Sequence, residues 1–189
     1  NDGKVIWQRV IAKGKGTPNV TPVADGGRVY YVADAVICLD AADGNELWRG
    51  KGFKGTAYST PLIVGDLIYV PDRSGLVAAD KRSGEVRFRV RAKGSTPGSP
   101  AWQSIEGRDM VVFCPGGQLT PGELWAVDAN DGTVLWKRRF AGTYGLCASP
   151  VVVGPELYVC AGFGPRYSQS ICTFVEDGNV RARLSYQVE

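Results

Sequence analysis

Histidine is absent from all 189 residues, and that absence removes a great deal of chemistry. Without imidazole there is no Ser-His-Asp or Cys-His nucleophile, no His-ligated zinc and no side chain that ordinarily titrates near neutral pH. The five cysteines, Cys38, Cys114, Cys147, Cys160 and Cys172, include no CxxC pair, so zinc-ribbon and thioredoxin-type chemistry is excluded as well. An excess of charge is nearly lacking too. The formal net charge is only +3, too little to imply a nucleic-acid partner. No apolar run approaches the roughly 18 residues needed to span a bilayer as a helix. No stretch keeps a 3.6-residue apolar period for three turns, so helices are expected to be nearly absent.

Glycine and proline are abundant instead, 25 and 11 residues, with no collagen period to account for them. They imply many tight turns between short strands. The turns recur in register. Asp2-Gly-Lys-Val-Ile-Trp7 is echoed by Asp43-Gly-Asn-Glu-Leu-Trp48, Ser83-Gly-Glu-Val-Arg-Phe88 and Asp131-Gly-Thr-Val-Leu-Trp136, with Asp177-Gly-Asn-Val-Arg-Ala182 as a degenerate fifth copy. Their glycines stand at 3, 44, 84, 132 and 178, steps of 41, 40, 48 and 46. Thr21-Pro22, Thr60-Pro61, Ser99-Pro100 and Ser149-Pro150 keep the same beat, and Asp40, Asp80 and Asp128 each precede a repeat glycine by four residues.

Each unit reads as four short strands, A to D. In the first, strand A begins at Thr21-Pro22, strand B is Arg28-Val-Tyr-Tyr-Val32, strand C is Ala35-Val-Ile-Cys-Leu39 and strand D is Asn45-Glu-Leu-Trp-Arg49. Strands B and C are apolar on both sides, as in sheets stacked face to face. Four-stranded units of roughly 40–50 residues are the size of propeller blades. The expected fold is therefore all-β: a β-propeller of four-stranded antiparallel blades, about four in this chain. They would make either a closed small ring or half of an eight-bladed ring. The chain reads as one domain, 1–189, with units at approximately 17–56, 57–95, 96–145 and 146–189. Residues 1–16 are left as an orphan strand D that could close the ring.

The segments 29–48 and 123–136 carry a hydrophobic strand, then Leu-Asp-Ala-Ala-Asp-Gly or Val-Asp-Ala-Asn-Asp-Gly, then Trp after three further residues. This phrase resembles the signature of PQQ-like propeller repeats, and the resemblance extends over essentially the whole chain. Such repeats occur in quinoprotein alcohol dehydrogenases and in the periplasmic lipoprotein scaffold of outer-membrane β-barrel assembly. The resemblance implies that Trp7, Trp48, Phe88 and Trp136 dock between neighbouring blades, while Asp40, Asp80 and Asp128 tie down turns. By the same alignment the fourth unit offers Phe174 for the aspartate and Ala182 for the tryptophan.

The family's quinoproteins hold their cofactor between a tryptophan and a disulfide of adjacent cysteines, with a calcium ion and an aspartate base. No two cysteines are adjacent in this chain. Only Trp102 and Trp125 are off the docking register, and Trp125 reads as a strand C core residue. No cofactor and no enzymatic activity are therefore expected. The acidic turns lack the spaced ligand series of an EF-hand-type calcium loop and read as turn chemistry. Cys38 and Cys172 fall in a small-residue slot of strand C that also holds Ala78 and Ala126. Cys160 and Cys172 share one face of the fourth hairpin, close enough on a diagonal to leave a disulfide open. Arg87, Arg89, Arg91 and Lys93 alternate along strand D of the second unit. They read as protection of an exposed sheet edge rather than as an anion-binding stripe.

The long B–C connections, 115–122 and 162–170, project from one propeller face. Phe163, Arg166 and Tyr167 in the second are the residue types that anchor interfaces. The expected function is a non-catalytic scaffold or binding module with a protein partner, working in the periplasm or outside the cell with its leader removed. Association of copies through the end blades is also expected, given the apolar faces an open arc would expose. The alternatives are a fragment of a PQQ-dependent oxidoreductase and the ligand-sensing ectodomain of a membrane-bound kinase.

Overall fold

The computed structural model describes residues 2–11, 20–53, 59–93, 98–116, 122–139, 149–160 and 168–188, with backbone alone at 168, 169 and 186–188. Every regular element in them is a strand, and the strands form four antiparallel sheets in which each pairs only with its sequence neighbours. The first sheet holds β1 (Val23–Asp25), β2 (Arg28–Val32), β3 (Val36–Asp40) and β4 (Glu46–Arg49). The second holds β5 (Leu62–Val64), β6 (Leu67–Asp72), β7 (Gly75–Asp80) and β8 (Val86–Arg91). The third holds β9 (Ala101–Ile105), β10 (Arg108–Phe113), β11 (Glu123–Asp128) and β12 (Val134–Arg139). The fourth holds β13 (Val151–Val153), β14 (Glu156–Cys160), β15 (Ser168–Glu176) and β16 (Asn179–Val188). These are propeller blades.

The double-sided apolar strands have a direct physical cause. Ile68 and Val70 join Tyr30, Val32, Val36 and Cys38 in a core between the first two sheets. Tyr69, one residue out of phase, joins Val111, Phe113 and Val127 in the core between the second and third. A third core, with Met110, Val112, Leu157, Val159 and Ile171, joins the third and fourth. Alternate side chains of one inner strand thus serve two different cores, and each fully buried aliphatic contributes about 1.5–3 kcal/mol. Among the described residues no core cluster joins the fourth sheet to the first.

The C–D turns are closed by their aspartates. The Gly44 N–H donates to the Asp40 carbonyl at 2.9 Å while the Asp40 carboxylate accepts from the Ala42 N–H at 2.8 Å. Asp80 and Asp128 repeat both bonds, through Gly84 and Arg82 and through Gly132 and Asn130. Each of these sheets also carries a bulge one residue past the small slot, at Cys38/Leu39, Ala78/Ala79 and Ala126/Val127.

The fourth sheet corrects the repeat alignment. Its bulge falls at Ser170/Ile171, and Ser170, not Cys172, is the residue opposite the strand D position that Trp48, Phe88 and Trp136 hold elsewhere. By register the fourth unit therefore offers Tyr186 for the tryptophan and Cys172 for the aspartate. The Thr173 N–H donates to the Pro155 carbonyl, the bond made by Ala41, Lys81 and Ala129 in the other sheets. Asp177-Gly178 is not a copy of the repeat turn. It is the two-residue tip of a longer C–D hairpin, with Glu176 paired to Asn179 and φ of +49° and +71°, the conformation a type I′ turn demands. The sequence match misled because Asp-Gly suits both turns.

The same register separates two thiols. Cys160 lies opposite Ser168 and Cys172 opposite Glu156, four residues apart along the ladder. That is roughly 14 Å at about 3.4 Å per residue, well beyond disulfide reach. No disulfide joins any two of Cys38, Cys114, Cys160 and Cys172; Cys147 lies outside the described residues.

Candidate functional site

Two sets of residues draw attention: the junctions that hold the blades together and a cleft on the face from which the B–C connections emerge. At the first junction Trp7 donates its indole N–H to the Ala41 carbonyl at 2.9 Å. At the second, Trp48 does the same to Lys81 at 3.2 Å. A Cβ on Gly44 or Gly84 would stand 2.6 Å from the respective indole. Those glycines are required twice over, by a φ near +75° and by the ring pressed against them. Phe88 covers Gly132 in the same way but has no N–H to give. The buried Tyr69 hydroxyl instead donates to the Ala129 carbonyl, the position that Ala41 and Lys81 occupy in the other turns. Trp136 stands apart, its indole N–H buried without a protein partner, since strand C of the fourth sheet runs on where the other sheets turn. Residues 2–11 carry no strand; Trp7 docks as a strand D tryptophan nonetheless.

The cleft has a volume of about 930 Å³ and runs across the end of the second blade, from Gly52 beyond the first sheet to Glu123 and Trp125 in the third. Its geometry is set by Gly75, opposite Arg91, where a Cβ would fall 2.0 Å from the Val90 carbonyl oxygen. With no side chain there, the B–C turn packs directly on the end of β8, and the Ala92 N–H donates to the Ser74 carbonyl at 2.9 Å. Asp72, only 1% exposed, accepts from the Ser74 N–H and hydroxyl at 2.7 and 2.6 Å and faces Arg89 at 3.4 Å. Arg89 also donates to the Gly52 carbonyl.

On the opposite wall Glu123 accepts from the Trp125 indole N–H at 2.9 Å and from Arg139 at 3.2 Å. Chiefly the indole bond, with Arg139 and Lys137 adding to it, holds the Glu123 carboxyl below its usual range. Lys137 stands 3.5 Å above the Trp125 ring, and Phe113 meets that ring edge-on. Arg91 and Lys93 line the cleft and are exposed. No carboxylate pairs with either among the described residues.

The four basic residues of the β8 stripe thus divide. Arg87 pairs with Asp80 at 3.1 Å and Arg89 with Asp72, whereas Arg91 and Lys93 remain open to solvent. Trp125 lines a cleft rather than only a core. The available signal was Glu123 and Trp125, two apart, facing Arg139 and Lys137, also two apart. Phe163, Arg166 and Tyr167 lie outside the described residues.

Four-stranded sheets in series, with Trp7, Trp48 and Phe88 each seated on the turn of the following sheet, define a β-propeller of PQQ-like repeats. The profile of the family described as outer membrane protein assembly factor BamB matches residues 1–165, and the chain belongs to that family. It is 27% identical over 176 residues to BamB of Legionella pneumophila (strain Paris), covering 86% of this chain but 42% of that protein. The crystal structure of BamB from Moraxella catarrhalis superposes with a TM-score of 0.69 at 18% identity, over 98% of this chain and 65% of that one. The quinohemoprotein alcohol dehydrogenase ADHIIG from Pseudomonas putida HK5 gives 0.70 at 17% identity, over 96% of this chain and 40% of that one. At such identity the two structures establish the fold.

The residues present do not fit PQQ as the quinoproteins hold it. No two of the five cysteines are adjacent in the chain, and no disulfide joins any two of the four described ones. Trp7 and Trp48 are engaged in blade junctions. Among the described residues no group of three or more His, Cys, Asp or Glu side chains is placed to hold a metal ion, and no helix is long and apolar enough to cross a membrane.

Proposed function

We propose that this chain is a non-catalytic binding scaffold that works outside the cytoplasm and presents the B–C face of its propeller to protein partners, as an assembly factor of the BamB type. The observation that carries this reading is the cleft across the second blade. There, rigid turns fix cations and an aromatic ring around open space, with no histidine in the chain to supply general acid–base chemistry. The kinship with a protein described as an outer membrane protein assembly factor supports it, with the proviso that this chain spans 42% of that protein's length. Among the described residues no arrangement favours the oxidoreductase or kinase-ectodomain alternatives.

The test is surface plasmon resonance of the purified chain over immobilised periplasmic portions of the outer-membrane β-barrel assembly machinery. A parallel dye-linked alcohol oxidation assay uses the chain incubated with PQQ and calcium. Saturable binding without turnover is expected. Turnover, or failure to bind any component, would overturn the reading.

A further inference from the structure

Building on that reading, we infer that the cleft between Gly52 and Trp125 is the seat of an extended acidic segment of a protein partner. Its carboxylates would lie against Arg91 and Lys93 and an apolar side chain against Trp125. Three observations converge on this occupant.

The first is charge. The lining residues and their direct partners include five cations, Arg89, Arg91, Lys93, Lys137 and Arg139, against two carboxylates, Asp72 and Glu123. That surplus equals the formal net charge of the whole chain, +3, so the rest of the molecule is balanced and the excess is concentrated here. Both carboxylates already face arginines, which leaves Arg91 and Lys93 for an outside anion.

The second is shape. The cleft crosses the end of one blade from the sheet before it to the sheet after it. Sheets stack about 10 Å apart, so the path is roughly 20 Å long, about six residues of extended chain. Arg91 ends β8 and Lys93 follows it by two residues, so the two cations stand near enough to meet carboxylates at i and i+2 of an extended peptide.

The third is the opposite wall. Trp125 presents a half-buried ring whose N–H is already taken by Glu123, so what it offers a ligand is apolar surface. Glu123 on that wall disfavours a uniformly charged polyanion, and so few open cations cannot neutralise a nucleic-acid backbone.

The experiment measures fluorescence anisotropy with a labelled eight-residue peptide that alternates glutamate with leucine and ends in phenylalanine. Its glutamine counterpart and a single-stranded oligonucleotide serve as comparisons. The protein is used as the wild-type chain, as the double variant Arg91→Gln/Lys93→Gln, and as Arg87→Gln, which removes a stripe cation outside the cleft lining. The acidic peptide should bind at least about tenfold tighter than its amide counterpart, and the double variant should lose about tenfold while keeping its melting temperature. Arg87→Gln should bind as wild type. Equal binding of the two peptides, an unaffected double variant, or tighter binding of the oligonucleotide would overturn the inference.

The two proposals fail separately. Binding to the assembly machinery that survives the double variant sinks the acidic-peptide site and leaves the scaffold reading intact. Peptide binding in the cleft with no binding to that machinery does the reverse.

Discussion

The indole–carbonyl bonds at the blade junctions turn one repeated residue into a set of unequal cases. Trp48→Phe keeps the ring over Gly84 and loses one hydrogen bond, so it should cost about 1 kcal/mol. Trp136→Phe removes an N–H that has no protein acceptor and should be neutral or stabilising. Urea unfolding of both variants measures the difference; equal losses would contradict the assignment. Asp80 gives a pH signature. Arg87 above all, with the Ser83 and Arg82 amides, pulls its carboxyl down from 3.8 to about 2. A carboxyl lowered in the folded state contributes stability that is complete above its unfolded pKa and is lost as pH falls through the folded one. Asp80→Asn should therefore be less stable than wild type at pH 6 by about 1 kcal/mol, given the exposed guanidinium. The gap should close between pH 4 and pH 2 in a series of thermal melts. At this scale the sequence was highly legible for glycine and aspartate, whose positions are dictated by turn geometry. It was poorly legible for Arg91, Lys93 and Trp125, because period-two spacing gives a side and not a neighbour.

Between residues and molecule stand the hairpins, and the fourth shows how far pattern reading reaches. Four strands per unit, the antiparallel order and the positions of Thr21, Thr60, Ser99 and Ser149 before the A strands were all readable from the chain. The register of the last hairpin was not, since Asp-Gly fits the wide turn after Asp40 and the two-residue tip after Glu176 equally well. What separates them is the bulge, a backbone feature set by cross-strand pairing. The two glycines should answer differently to one substitution. Gly178→Ala meets only the Arg108 guanidinium at 4.0 Å, so its cost is conformational, about 1 kcal/mol. Gly84→Ala suffers the same strain at φ +75° and also drives a methyl to 2.6 Å from the Trp48 ring, so it should cost about 3 kcal/mol or more. Comparable denaturation midpoints for the two would show that the docked ring yields easily.

At the scale of the whole molecule, one apolar face of the fourth sheet is left uncovered by the described residues. Val151, Val153 and Tyr158 alternate with the residues that join the third sheet and are 58%, 60% and 47% exposed. An apolar face of this kind on a blade invites another blade. We propose that two copies associate through their end blades. Light scattering across a dilution series should then give about twice 20.3 kDa at micromolar concentration, and a monomer throughout would rule this out. The junctions also impose an order on biosynthesis. Trp7 rests on a carbonyl 34 residues downstream and Trp48 on one 33 residues downstream, so each tryptophan leaves the ribosome before its seat exists. At roughly 5–20 residues per second, each of these two rings waits roughly 2–7 seconds unhoused. At these two junctions the nascent chain houses one strand D ring only by building the turn of the next sheet.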